Sequence, residues 1–106
     1  MSGIDNLGKT HENKFVHDSD LEFKTMARRN KLLGVWAAEL MGLSGDAVES
    51  YAKEVVIADL EEKGDEDVFR KVRKDLDSKN IEMSDHRIRR QMEELLVTAR
   101  DQVHSE

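Results

Sequence analysis

The side chains of this chain that could do chemistry fall into a few groups, and none has the spacing of a reaction centre. Asp65, Glu66 and Asp67 set three carboxylates in a row. A calcium loop needs acidic ligands at alternating positions, a glycine at the sixth and a glutamate at the twelfth, and that order is missing. A helix start explains all three instead, because carboxylates there meet the positive end of the helix dipole. His11, His17, His86 and His104 are scattered without the spacing of paired metal ligands. Asp101 and His104 lie one turn apart, which suits a surface helix end better than a metal site. Gly42 and Gly45 lack the lysine and hydroxyl residue that complete a phosphate loop, and Ser44 has no base close in sequence to activate it. The expectation is a protein that is not an enzyme and holds no metal.

Positive charge is the more informative chemistry. Arg28, Arg29 and Lys31 form one cluster, and His86, Arg87, Arg89 and Arg90 form another. Arginine grips phosphate through a planar, multi-donor head. One reading is therefore a small helical regulatory module in which Arg28, Arg29 and Arg90 hold an anionic ligand such as a purine nucleotide, weakly and as its only cofactor-like partner. The alternative is that the first cluster covers a solvent face and pairs with acids on neighbouring helices. The second cluster opens a helix, where cations oppose the dipole, and that misfit favours a role in contact. Nucleic acid is not the expected partner, because a chain with a net charge of -6 repels phosphate backbones on average.

These groups must be positioned by helices. The chain has 106 residues, 38% apolar and 38% charged, a balance that suits one small helical domain with narrow apolar stripes and ion-paired faces. It has no proline to interrupt a helix and no cysteine for disulfides or thiolate sites. It also has no apolar run long enough for membrane insertion and no secretory signal. Phe23, Met26, Ala27, Leu33, Trp36, Ala37 and Leu40 form one helical stripe. Ser19 and Glu22 read as a capping box, so a first helix is expected from near Asp20 to about Met41, closed by Gly42. Ser44 and Asp46 should open a second helix with the stripe Val48, Tyr51, Ala52 and Val55, ending near Lys63 before Gly64. Asp65 should cap a third with Val68, Phe69, Val72 and Leu76 inward. Its pairs Glu66–Arg70, Asp67–Lys71 and Lys71–Asp75 are spaced i, i+4. Ser78 to Asn80 reads as a loop. Ser84 and Asp85 should open the last helix, whose stripe is Ile88, Met92, Leu95, Ala99 and Val103. The predicted fold is an all-α four-helix bundle over residues 19–106 with a flexible N-terminal arm over residues 1–18.

The arm contains Gly3, Asn6, Gly8, Thr10 and Asn13, all poor helix formers. Yet Ile4, Leu7, His11 and Phe15 share one helical face. Alone that stripe is too thin to offset the entropy of ordering, so the segment is expected to be disordered when free and able to order in a partner's groove. A frayed terminus with accidental spacing explains the same pattern. His11 and His17 titrate near neutral pH when unperturbed, which would make the arm's conformation pH-dependent.

Several segments together resemble the zeta-type inhibitor subunit of the alphaproteobacterial rotary ATP synthase. They are Lys14-Phe15-Val16-His17-Asp18, Leu21-Glu22-Phe23-Lys24, Ala27-Arg28-Arg29-Asn30-Lys31-Leu32-Leu33-Gly34 and Trp36-Ala37-Ala38. Gly64-Asp65-Glu66-Asp67-Val68-Phe69-Arg70-Lys71 and, more weakly, Ile88 to Arg100 extend the likeness over most of the chain. The resemblance implies a four-helix bundle and inhibition of ATP hydrolysis. It also implies an N-terminal arm that becomes helical and wedges between a catalytic α/β subunit pair and the central stalk. On this chain the arm would be Ser2 to about Ser19. Ile4, Leu7 and Phe15 would be apolar anchors, Lys9 and Lys14 orienting contacts, and His11 a further contact on the same face. The protein would be a cytoplasmic monomer when free and peripheral on the cytoplasmic face of the inner membrane when bound.

Overall fold

The computed structural model describes residues 2–60 and 65–106, with side chains for 20–60 and 65–106. Four helices follow one another: α1 (Ser2–Leu40), α2 (Asp46–Ala58), α3 (Glu66–Ser78) and α4 (Asp85–His104). No strand occurs among the described residues. The all-α four-helix bundle with an N-terminal arm holds. Within it, the expected start of the first helix at Asp20 is corrected, because α1 continues back to Ser2. No proline stands in the way, and once the helix exists each further residue adds a hydrogen bond without a new nucleation cost.

Two helix ends share one stop signal. At the end of α1 the Leu43 N–H donates to Ala38 C=O and the Gly42 N–H to Glu39 C=O, both at 3.0 Å. Gly42 sits at φ 81°, a left-handed conformation that costs glycine little. At the end of α3 the Ile81 N–H donates to Leu76 C=O at 2.9 Å and the Asn80 N–H to Asp77 C=O at 3.0 Å, with Asn80 at φ 60°. Both are Schellman motifs, and in each the residue after the left-handed one, Leu43 or Ile81, packs on the core.

The helix starts are less uniform. Ser84 caps α4 as expected, its hydroxyl accepting from the Arg87 N–H at 3.1 Å. Neither Ser44 nor Asp65 caps with its side chain, since Gly45 is the N-cap residue of α2 and Asp65 turns its carboxylate elsewhere. Helix α2 ends at Ala58, short of the expected Lys63. Asp59 follows at the negative end of its dipole, where a carboxylate opposes continuation. Lys63 and Gly64 lie outside the described residues.

Helix α1 packs chiefly against α2 and α4. The core holds Leu33, Ala37 and Ala38 of α1, Tyr51 and Val55 of α2, Val68, Phe69, Val72 and Leu76 of α3, and Ile88 and Met92 of α4. The inward face of α1 keeps Leu33, Trp36, Ala37 and Leu40 of the predicted stripe and departs from it in the first half. Thr25, Arg29, Leu33 and Ala37 recur every four residues and are all buried, whereas Phe23 is 65% exposed. Two polar members of that face have internal partners, whereas the Asn30 amide nitrogen beside them is buried without one among the described residues. Thr25 donates to the Leu21 carbonyl at 2.7 Å, and Arg29 has a carboxylate partner.

Candidate functional site

Small residues let α1 and α2 approach closely. Gly34 lies so near α2 that a Cβ there would sit 2.6 Å from Ala52 Cα and 3.3 Å from Val55. The two helices fold back on each other across the short link 41–45, and on their outer side Phe23 and Ile57 stay 65% and 58% exposed.

Arg29 is 1% exposed and donates through Nη2 to Asp65 at 2.7 Å and through Nε to Asn30 at 2.8 Å. This buried guanidinium joins α1 to the start of α3. Asp65 therefore serves as the counter-ion of Arg29. Its neighbours Glu66 and Asp67 pair with Arg89 of α4 and Arg70. The three consecutive carboxylates are spread over three cations, and no group of ligands able to hold a metal occurs among the described residues.

The three arginines considered for an anion do not converge. Arg28 donates to Gln102 at 2.9 Å and pairs with Glu106, near the end of α4. Arg90 pairs with Glu94 at 3.2 Å near its start. At about 1.5 Å per residue, Gln102 lies roughly 18 Å along the helix from Arg90. Arg29 is committed to Asp65. Each arginine has its own protein acceptor, Arg28 and Arg29 on other elements and Arg90 on its own helix. In the second cluster, Arg89 stacks its guanidinium 4.0 Å from the centre of the Phe69 ring, which shields that core aromatic.

A second polar node joins α2 and α3. The Tyr51 hydroxyl donates to Asp75 at 2.9 Å, and Lys71 donates to the same carboxylate oxygen at 3.1 Å and to Glu54 at 3.2 Å. The ammonium also lies 5.2 Å from the Tyr51 ring centre. The depression beside this node is lined by three carboxylates, Glu54, Asp67 and Asp75, and three cations, Arg70, Lys71 and Lys74. Its charge is balanced, so it offers an anion no net attraction.

Burial, and then the hydrogen bond to Asp75, push the Tyr51 phenol well above its ordinary value. Burial works against the Lys71 ammonium, but its hydrogen bonds to Asp75 and Glu54 outweigh this and raise it. Both groups keep their protons longer in the folded chain than in the unfolded one. Their contribution is complete below the unfolded values near 10 and is lost as pH rises beyond them. Urea titrations from pH 9 to 11.5 should show stability falling by up to about 1.4 kcal/mol per pH unit for each such group. Tyr51→Phe should remove the tyrosine share of that slope, and an unchanged slope would refute the assignment.

The arm residues Ile4, Leu7, Lys9, His11, Lys14 and Phe15, and likewise His17, lie in the part of α1 whose side chains are outside the described residues. No described helix is long and apolar enough to cross a membrane.

Comparison with known proteins adds the arm to this frame. The family of the ATPase inhibitor subunit zeta matches residues 1–102. A protein solved by solution NMR is similar over 80% of this chain and 96% of its own, at 48% identity and a TM-score of 0.72. Comparison with curated proteins gives no match.

Proposed function

Because this chain belongs to the ATPase inhibitor subunit zeta family, we propose that it binds the catalytic head of the ATP synthase and blocks ATP hydrolysis. The bundle anchors on the head. The arm, residues 2–18, inserts at the catalytic interface between an α/β pair and the central stalk. Hydrolytic rotation then stops against a helix held on both sides. The protein acts by occupying space and is not itself an enzyme, and its place in the cell is that of the synthase, peripheral on the cytoplasmic face of the membrane.

The observation that supports this most is that the family match takes in the arm together with the bundle, from residue 1 to residue 102. The helical path of α1 is consistent with it, since one continuous helix links the arm to the bundle. Ile4, Leu7, His11 and Phe15 lie at offsets 0, 3, 7 and 11, one face of such a helix. A stripe of that width binds when a partner groove supplies the missing apolar surface. Ile4, Leu7 and Phe15 are the proposed anchors, with Lys9, His11 and Lys14 as polar contacts.

ATP hydrolysis by purified synthase head tests this. The intact chain should suppress it, and removal of residues 2–18 should abolish suppression while the helical circular dichroism of the bundle and the Trp36 emission remain. Undiminished suppression by the truncated chain would reject the wedge.

A further inference from the structure

Two shallow depressions run along the outer side of α1 and α2 and meet at Lys31 and Val56. Their volumes are about 310 and 320 Å³. Phe23 and Ile57 stand over them, 65% and 58% exposed, with Ala27 and Val56 between. Neighbouring apolar groups left bare in this way on a small soluble bundle mark a contact surface. The rim is basic. Lys24, Arg28, Lys31 and Lys53 border the groove against two carboxylates, Glu49 and Glu106. Arg28 is taken by Glu106, and Lys24 meets Asp20 at 3.6 Å with both side chains more than half exposed, a pair of little worth in water. Lys31 and Lys53 make no ion pair among the described residues. On a chain whose net charge is -6, a rim with excess positive charge is the exception, and it selects a partner of opposite sign.

We infer that this groove between α1 and α2 seats an acidic amphipathic helix of a partner protein. A groove between two adjacent helices accepts a third laid along it, whose i, i+3, i+4 and i+7 side chains meet Phe23, Val56 and Ile57. Carboxylates flanking that stripe reach Lys31 and Lys53. The groove is built partly on α1, the same helix that continues to Ser2, so a partner seated here also sets the direction in which the arm leaves the bundle. The identity of the partner as part of the synthase head rests on the proposed function; its chemistry rests on the groove.

The test uses the full chain and purified synthase head. Lys31→Glu with Lys53→Glu, and separately Phe23→Ser with Ile57→Ser, should each weaken binding to the head at least about tenfold. All four positions are exposed, so circular dichroism should be unchanged. Wild-type binding should weaken as salt rises, and the charge-reversed chain should lose that dependence. Arg90→Ala with Glu94→Ala, remote from the groove, should bind as wild type. A photo-crosslinking residue at position 56 should capture a carboxylate-rich segment of the head. If both groove variants bind the head like wild type, or the crosslink joins a second copy of this chain or a segment without carboxylates, the groove assignment is overturned and the inhibitor reading stands. A wild-type chain that fails to bind the head overturns the inhibitor reading itself, and the seat on the head with it.

Discussion

Asp65→Ala should lower the stability of the chain by about 3 kcal/mol, the low end of what removing one member of a buried ion pair costs. The Arg29 guanidinium is 1% exposed, and without Asp65 it keeps only the Asn30 oxygen as an acceptor among the described residues. Its charge cannot leave, because arginine does not deprotonate at any accessible pH. The low end applies because the Asp65 side chain is 47% exposed, so water reaches part of the node. For a bundle of this size the loss is a fall in Tm of more than about 10 °C. Two controls separate this from ordinary surface electrostatics. Arg90→Ala breaks a pair whose members are both more than half exposed and should change stability by no more than about 1 kcal/mol. Arg29→Met added to Asp65→Ala removes the stranded charge and keeps most of the volume, so the double variant should be more stable than Asp65→Ala alone. A change under about 0.5 kcal/mol for Asp65→Ala would place it with ordinary surface substitutions and show that the guanidinium is solvated after all.

This node also marks where the sequence stops being legible. The faces of α2, α3 and α4 follow from apolar periodicity. Val68, Phe69, Val72 and Leu76 are all buried as their spacing predicts, and so are Tyr51, Ala52, Val55, Ile88, Met92, Ala99 and Val103. The face of α1 follows only in its second half, where Leu33 and Ala37 are buried and Trp36 and Leu40 pack on the core; ahead of that, periodicity counts apolar residues and misses the buried Thr25, Arg29 and Asn30. A four-residue recurrence from Thr25 to Ala37 was present, but reading it as core requires knowing that Asp65, 36 positions along, supplies a counter-ion. Once Arg29 turns inward, Phe23 must turn outward, and the outer groove of α1 and α2 follows from that rotation. Caps fared unevenly for a similar reason. Ser84 caps α4 through a purely local bond, whereas Asp65 is drawn away from the cap by a distant arginine. Arg28, Arg29 and Arg90 do not gather at one site: Arg28 and Arg29 find acceptors on distant elements that sequence spacing cannot place, and Arg90 pairs with Glu94 one turn along its own helix. Of the candidate site, the arm came from its own stripe and from resemblance, and the groove is visible only in three dimensions.

Gly34→Val should be as damaging as loss of the Arg29 counter-ion, about 3 kcal/mol, for a steric reason instead of an electrostatic one. Glycine inside a helix is by itself unfavourable by roughly 1 kcal/mol against alanine, so its place in the middle of α1 needs a cause. The cause is the neighbouring backbone. A Cβ at position 34 would lie 2.6 Å from Ala52 Cα and 3.2 Å from its Cβ. A main-chain atom on a packed helix cannot rotate aside as a side-chain tip can, so α1 and α2 must separate, and overpacking of this kind costs about 1–3 kcal/mol. Gly34→Ala gains helix propensity and still pushes on α2, so its net loss should be smaller, near 1 kcal/mol. Valine adds two methyl groups to the same clash and a β-branch unfavourable in a helix, which places it at the upper end. Ala52→Gly sharpens the argument. If the conflict were between side chains, it would relieve Gly34→Ala; because the nearest atom is Ala52 Cα, the double variant should be no more stable than Gly34→Ala alone. Urea denaturation of the three variants decides between these, and recovery in the double variant would show that backbone proximity is not what keeps glycine at position 34.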